Sequence, residues 1–244
     1  MFRAHTSHKK TAAACGLVLA ALASGCSWGA PAADTAAKPA VAAPAASATA
    51  PGQPASDRPR VVFLGDSITA GLGLASSQAF PSVIAEKLRA EGYQAEVVNA
   101  GISGDTAAGG RRRLGWALDG NVRVLVLALG ANDGLRGSPV ADMKGNLQAI
   151  IRQAKARSIP VLLLGMEALP NFGPEYTTQF RLAFRDLAEE EDVELVPFFL
   201  DGVAGVPSLN QPDGLHPNAD GARRIADTVW KALEPIVSAQ APKR

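Results

Sequence analysis

Five short segments of the chain are apolar at almost every position: RVVFLG (60 to 65), AEVVNA (95 to 100), VRVLVLALG (122 to 130), PVLLLGM (160 to 166) and VELVPF (193 to 198). A strand with one face in water alternates apolar and polar residues. Unbroken runs like these predict strands buried on both faces, the usual state of a parallel strand. Between them, apolar residues recur every three to four positions, the period of an amphipathic helix. The helical segments are FPSVIAEKLRAEG (80 to 92), DMKGNLQAIIRQAKAR (142 to 157), YTTQFRLAFRDLAEEE (176 to 191) and ADGARRIADTVWKALEPIV (219 to 237). Gly92 offers the first of them a stop. Strand and helix in alternation predict an α/β fold: a three-layer, doubly wound, mainly parallel five-stranded sheet. No internal repeat is visible.

The pattern begins only near residue 58. Arg3, Lys9 and Lys10 precede an uncharged run, TAAACGLVLAALASG (11 to 25), with no acidic residue before Asp34. Basic start, apolar middle and small-residue exit read as an export signal over 1 to 26. The run is too short for the roughly 20 residues of a spanning helix. Its exit, ASGCS, resembles the lipobox of bacterial lipoproteins, which would leave Cys26 as a lipidated N-terminal residue, although Ala23 stands where that pattern prefers Leu. The other reading is plain cleavage further on, near SWGAPA. Either way the expectation is an exported, periplasmic bacterial protein, and with Cys26 lipidated, one held to the membrane by its lipid. Cys15 leaves with the signal, so Cys26 has no disulfide partner. Residues 27 to 57, mostly Ala, Pro, Ser and Thr, form a tether: they offer too little apolar surface to offset the entropy of ordering.

Residues 58 to 244 are a length suited to one domain with a sizeable core. The formal charge of +1 and 5% aromatic content, without a dense basic stripe, exclude a nucleic-acid partner. A monomer is expected.

Ligands of such sheets bind beyond the carboxyl ends of the strands, so the residues that leave each strand carry the chemistry. The first exit is GDSIT, with Ser67 a nucleophile or an N-cap and Asp66 a loop brace. The second is NAGISGDT, where Gly104 permits close approach and Asp105 or Thr106 caps a following helix. The third is LGANDGLRG, in which Asn132 offers an amide past the sheet or merely a turn. After the fifth strand comes PDGLHP, with His216 the only histidine beyond His8. A hydroxyl is a weak nucleophile near neutral pH, and imidazole, with a pKa of about 6.5, suits the removal of its proton. The base then needs an acceptor on its other nitrogen. Asp213, three residues away, is placed for that, with Asp133 as a competing carboxylate. An acyl group under attack develops an oxyanion, for which the N–H groups of Ser67 and Gly104 and the amide of Asn132 are available. GGRRRLG (109 to 115) reads as a solvated helix face, or else as a contact for an anionic head group.

The stretches GDSIT, GISGDT, GANDGL and DGLHP, in this order, resemble the SGNH hydrolases, the GDSL family. The likeness runs from about residue 60 to 236 and is strongest to bacterial arylesterases and thioesterase I (lysophospholipase L1)-type enzymes; NDGLRG and PNFGPEY belong to it. The resemblance implies a flavodoxin-like fold and a carboxylic ester or thioester hydrolase acting through an acyl-enzyme. It implies Ser67 as nucleophile, His216 as base, Asp213 as its orienting acid, and Ser67, Gly104 and Asn132 as the oxyanion hole. Ile68 stands where the family name has Leu, a volume-conserving change. No cofactor and no metal is expected, since a single domain histidine and no usable cysteine cannot build a common zinc set. The partner implied is a small-molecule or lipid ester: an aryl ester, an acyl thioester or a lysophospholipid. Loops 71 to 80 and 168 to 180 are expected to frame the acyl pocket. Two other readings stay open. One is a carbohydrate O-acetylesterase with the same residues. The other is a non-catalytic, flavodoxin-like ligand-binding module in which Ser67 and Asp213 only cap turns.

Overall fold

A computed structural model of the chain describes residues 58 to 241 and 243; the expected signal segment, Cys26 and the tether lie outside the described residues. Strands β1 (Arg60–Gly65), β2 (Glu96–Gly101), β3 (Val122–Ala128), β4 (Val161–Leu164) and β5 (Glu194–Val196) form one sheet in the order β2-β1-β3-β4-β5, and every pairing is parallel. Phe63 of β1 lies beside Asn99 of β2 on one side and Val126 of β3 on the other. The helices are α1 (Ser67–Ala70), α2 (Phe80–Ala90), α3 (Ala107–Ala117), α4 (Ala131–Leu135), α5 (Val140–Lys155), α6 (Gly173–Glu191) and α7 (Ala219–Gln240). Helices α3, α5 and α6 pack side by side in one layer, and α2 and α7 pair in the other. This is the doubly wound α/β arrangement expected from the alternating pattern.

Burial on both faces holds where the sheet is central. In β1 every residue after Arg60 is buried, and β3 is buried at all positions but Arg123. It fails for β2 and β5, whose residues are largely half-buried or exposed, because each is an edge strand with helices over only part of it. Helix α2 buries Phe80, Ile84 and Leu88, one residue per turn, and Phe80 meets Phe63 of the sheet edge to face, with ring centroids 5.6 Å apart. After Ala90 the chain turns at Gly92, whose φ of 81° suits a residue without Cβ. Helix α6 starts at Gly173, earlier than the periodicity predicts, since Pro174 is accepted in a first helical turn. Helices α1 and α4, of four and five residues, are too short to show a period, and both lie at strand exits.

The strand order reverses direction between β1 and β3. Crossovers from β1 lead outward to β2 and those from β3 lead the other way to β4, which opens a crevice beyond the carboxyl ends of those two strands. Ser67 and Asn132 leave the sheet there.

Candidate active site

Strand β1 ends at Gly65, and the chain enters α1 within one residue. Asp66 caps that turn: its Oδ1 accepts from Ile68 N at 3.0 Å. Residue 65 must lack a side chain, since a Cβ would lie 2.0 Å from Thr69 Oγ1 and 2.9 Å from Ala128 O. The result presents Ser67 at the first position of a short helix, nearly buried, over the end of the sheet.

His216 arrives from the other side of the crevice on the loop before α7. Gln211 N donates to His216 O at 2.8 Å, and Gln211 Nε2 donates to Leu72 O at 2.7 Å and Pro217 O at 2.9 Å. One amide thus ties the histidine loop to the segment after α1. Asp213 does two things in this loop. Its Oδ1 accepts from Leu215 N at 2.9 Å and His216 N at 3.0 Å, shaping the turn, while its Oδ2 stands 2.6 Å from His216 Nδ1. The His216 N–H, the His216 ring and the Leu215 N–H, in that order, hold the Asp213 carboxyl down at about 2. An ionised carboxylate has no proton to give, so the hydrogen of this contact belongs to Nδ1, and in the neutral ring that tautomer makes Nε2 the acceptor. That nitrogen lies 2.9 Å from Ser67 Oγ.

Asp133, the competing carboxylate, goes elsewhere. Its Oδ2 accepts from Ala107 N at 2.9 Å at the start of α3, and it is buried, which raises its carboxyl above the usual range. It joins α4 to α3 and leaves the imidazole to Asp213.

Gly104 and Asn132 come from two other exits and line the same cavity as Ser67 and His216. Gly104 sits at a φ of 81°, where L side chains are strained. Asn132 Nδ2 donates to Asp105 O at 2.9 Å, which orients the amide and leaves its second hydrogen for a ligand. All five residues singled out in the domain are therefore brought together.

The cavity encloses about 590 Å³ and is mainly apolar, with Leu72, Leu135, Met166, Leu169, Phe198 and Leu215 among its walls. Of the two loops expected to frame it, each contributes only its start: Leu72 from one, and Ala168, Leu169 and Pro170 from the other. The remaining aromatic residues of 168 to 180 turn away. Phe172, Tyr176, Phe180 and Phe184 stack in succession at 5.3 to 6.0 Å, Tyr176 OH donates to Ser138 O at 2.9 Å, and Phe180 and Phe184 are core. Leu215 comes with the DGLHP stretch, whereas Met166 and Phe198 carry no sequence signal that distinguishes them from other apolar residues; only chain folding delivers them here.

Asp66 is only 2% exposed, and its Oδ1 is taken up by Ile68 N. Burial pushes its carboxyl up from 3.8 to about 6. In the unfolded chain the group ionises near 3.8, so between those values the fold keeps a proton the unfolded chain has lost, and stability falls as pH rises through that window. Asp66→Asn keeps an acceptor for Ile68 N and removes the buried charge. The expected outcome is a gain of about 3 kcal/mol above the window and almost none below it, read by urea unfolding at both ends. An equal change at both pH values would show that charge burial is not the cause.

Comparison with known proteins gives a consistent picture. Residues 63–224 match the GDSL-like lipase/acylhydrolase family. The chain is 43% identical over 178 residues to esterase TesA of Pseudomonas aeruginosa, covering 72% of this chain and 89% of the relative. It is 37% identical over 179 residues to thioesterase 1/protease 1/lysophospholipase L1 of Escherichia coli, covering 73% and 85%. Among solved structures it resembles the psychrotrophic esterase EstA from Pseudoalteromonas sp., inhibited by monoethylphosphonate, with a TM-score of 0.70 and 33% identity over 73% of this chain and 98% of that one.

Proposed function

The chain belongs to the GDSL-like lipase/acylhydrolase family and is a carboxylic ester hydrolase of the esterase/thioesterase type, and from that premise we propose that Ser67, His216 and Asp213 are its catalytic triad. The observation that carries this reading is one hydrogen-bonded line: Ser67 Oγ to His216 Nε2 at 2.9 Å, and His216 Nδ1 to Asp213 Oδ2 at 2.6 Å. In the proposed reaction Ser67 Oγ attacks the acyl carbonyl carbon while its proton passes to Nε2. The carbonyl oxygen gains the charge and takes hydrogen bonds from Ser67 N–H, Gly104 N–H and Asn132 Nδ2, donors fixed before the substrate arrives. When the tetrahedral intermediate collapses, the C–O or C–S bond breaks and the imidazolium returns the proton to the leaving alcohol or thiol. Water then repeats the sequence on the acyl-enzyme.

The apolar lining of the cavity favours an aliphatic or aryl acyl group over a sugar acetyl group. The substrates we propose are lipid esters such as lysophospholipids, along with aryl esters and acyl thioesters. A p-nitrophenyl ester series from acetyl to dodecanoyl, run on the purified chain beside Ser67→Ala, tests this. Ser67-dependent turnover that grows with chain length is expected. Turnover confined to acetyl would replace the lipid-ester reading with the O-acetylesterase one, and activity that survives Ser67→Ala would sink the triad.

The export signal and lipobox-like ASGCS support a periplasmic enzyme tethered by a lipid on Cys26. Cys26→Ser is expected to release the protein into the soluble fraction. An unchanged membrane-bound fraction would end that proposal.

A further inference from the structure

Three consecutive arginines on α3 have three different fates. Arg111 reaches across the surface to Asn146 at 3.2 Å and Arg112 is exposed, as a solvated helix face requires. Arg113 departs from that expectation and turns inward. Its Nε donates to Asp105 Oδ2 at 2.6 Å, its Nη1 to Ala100 O at 2.6 Å and its Nη2 to Gly65 O at 2.8 Å. The Arg113 and Asp105 side chains are only 15% and 12% exposed. The helix has made room for the acid: a Cβ at Gly109 would lie 1.6 Å from Asp105 Oδ1.

Each of these three acceptors sits at a strand exit. Gly65 closes β1 two residues before Ser67, Ala100 belongs to β2 just before the loop to Gly104, and Asp105 directly follows Gly104. The Asp105 carbonyl in turn receives the Asn132 amide. One planar guanidinium therefore ties together the approaches to Ser67 and Gly104, and through Asp105 it holds the residue whose carbonyl receives the third donor, Asn132. A buried ion pair is a poor source of net stability, because desolvation offsets much of its attraction. A rigid fork of donors is a good way to fix three backbone segments at set spacings.

We propose that Arg113 is a positioning residue for the oxyanion hole, setting the separation of Ser67 N–H, Gly104 N–H and Asn132 Nδ2 without touching substrate. The inference rests on the oxyanion assignment above. Its effect belongs to the transition state, where the oxygen carries charge, and so appears in kcat rather than KM.

The test is Arg113→Lys in the full chain, with kcat and KM measured on a p-nitrophenyl ester in the wild-type and Asn132→Ala backgrounds, and unfolding followed in parallel. Lysine keeps the charge near Asp105 but lacks the fork. The expected result is a loss of roughly tenfold in kcat with KM little changed, shrinking to about threefold or less when Asn132 is already absent, since residues acting through one element are not additive. A purely structural role would lower stability and leave the two kcat factors equal, which would overturn the inference. Should Arg113→Lys fail to fold, Asp105→Asn, which keeps the acceptor and removes the charge, is held to the same pattern. If Asn132→Ala itself leaves kcat intact, the oxyanion assignment falls, and this inference with it.

Discussion

His216→Ala is expected to lower kcat on any ester by about 10⁴-fold or more, with KM changed only a few-fold, because the proton transfer it removes occurs after substrate is bound. No neighbour substitutes for it. His216 is the only histidine beyond His8, and its Nε2 is the ring nitrogen within hydrogen-bond reach of Ser67 Oγ. The variant should also change the shape of the pH profile. With the imidazole present, the base that takes the Ser67 proton is part of the enzyme and turnover does not depend on free hydroxide. Without it, the remaining activity depends on hydroxide and keeps rising with pH. Asp213, held at about 2, stays ionised wherever the enzyme is assayed and does not shape either curve. Asp213→Asn should cost less than His216→Ala, since the Asp213 side chain is 46% exposed and water screens its charge. A His216→Ala enzyme with a wild-type profile would require another base and would overturn the mechanism.

Asn132→Ala is expected to lower kcat by about 10² to 10³, the usual consequence of deleting one oxyanion donor, and to leave KM nearly unchanged. The lost hydrogen bond to Asp105 O should cost only about 1 kcal/mol of stability, so the variant remains folded. Asn132→Asp separates charge from shape. It preserves the side-chain outline but turns a carboxylate toward the growing oxyanion, so it should be at least as damaging as alanine. If aspartate were well tolerated while alanine was not, Asn132 would be filling space rather than donating, and the oxyanion hole would have to be drawn without it. The steady-state constants of the two variants on one ester decide the matter.

Much of this arrangement is legible before folding because it is local. Thr106 caps α3, its Oγ1 accepting from Gly109 N at 3.2 Å, and Asn218 caps α7 through Asp220 N and Gly221 N. The Asp213–His216 contact spans three residues, and the turn that makes it is held by Asp213's own bonds to Leu215 N and His216 N. The strands follow from unbroken apolar runs. Yet those runs look the same in β2 as in β1, and only lateral position in the sheet leaves one half-exposed and the other sealed. Similarly, nothing in GGRRRLG distinguishes Arg113 from Arg112. The helix phase and the nearness of two strand ends do.

The sequence by itself determined the alternation of strands and helices, the residues at the four strand exits and the short-range geometry of PDGLHP, because turn, cap and periodicity are properties of neighbouring residues. It also supplied the chemical types of the site. The meeting of Ser67 with His216, 149 residues apart, was decided by the tertiary structure alone. So were the walls of the cavity, the burial of Asp66, the bond by which Asp133 joins α4 to α3 and the inward turn of Arg113. Each depends on which segments the sheet order sets side by side. That order follows from packing two helical layers against a twisted parallel sheet, a global minimum that no short window of residues contains.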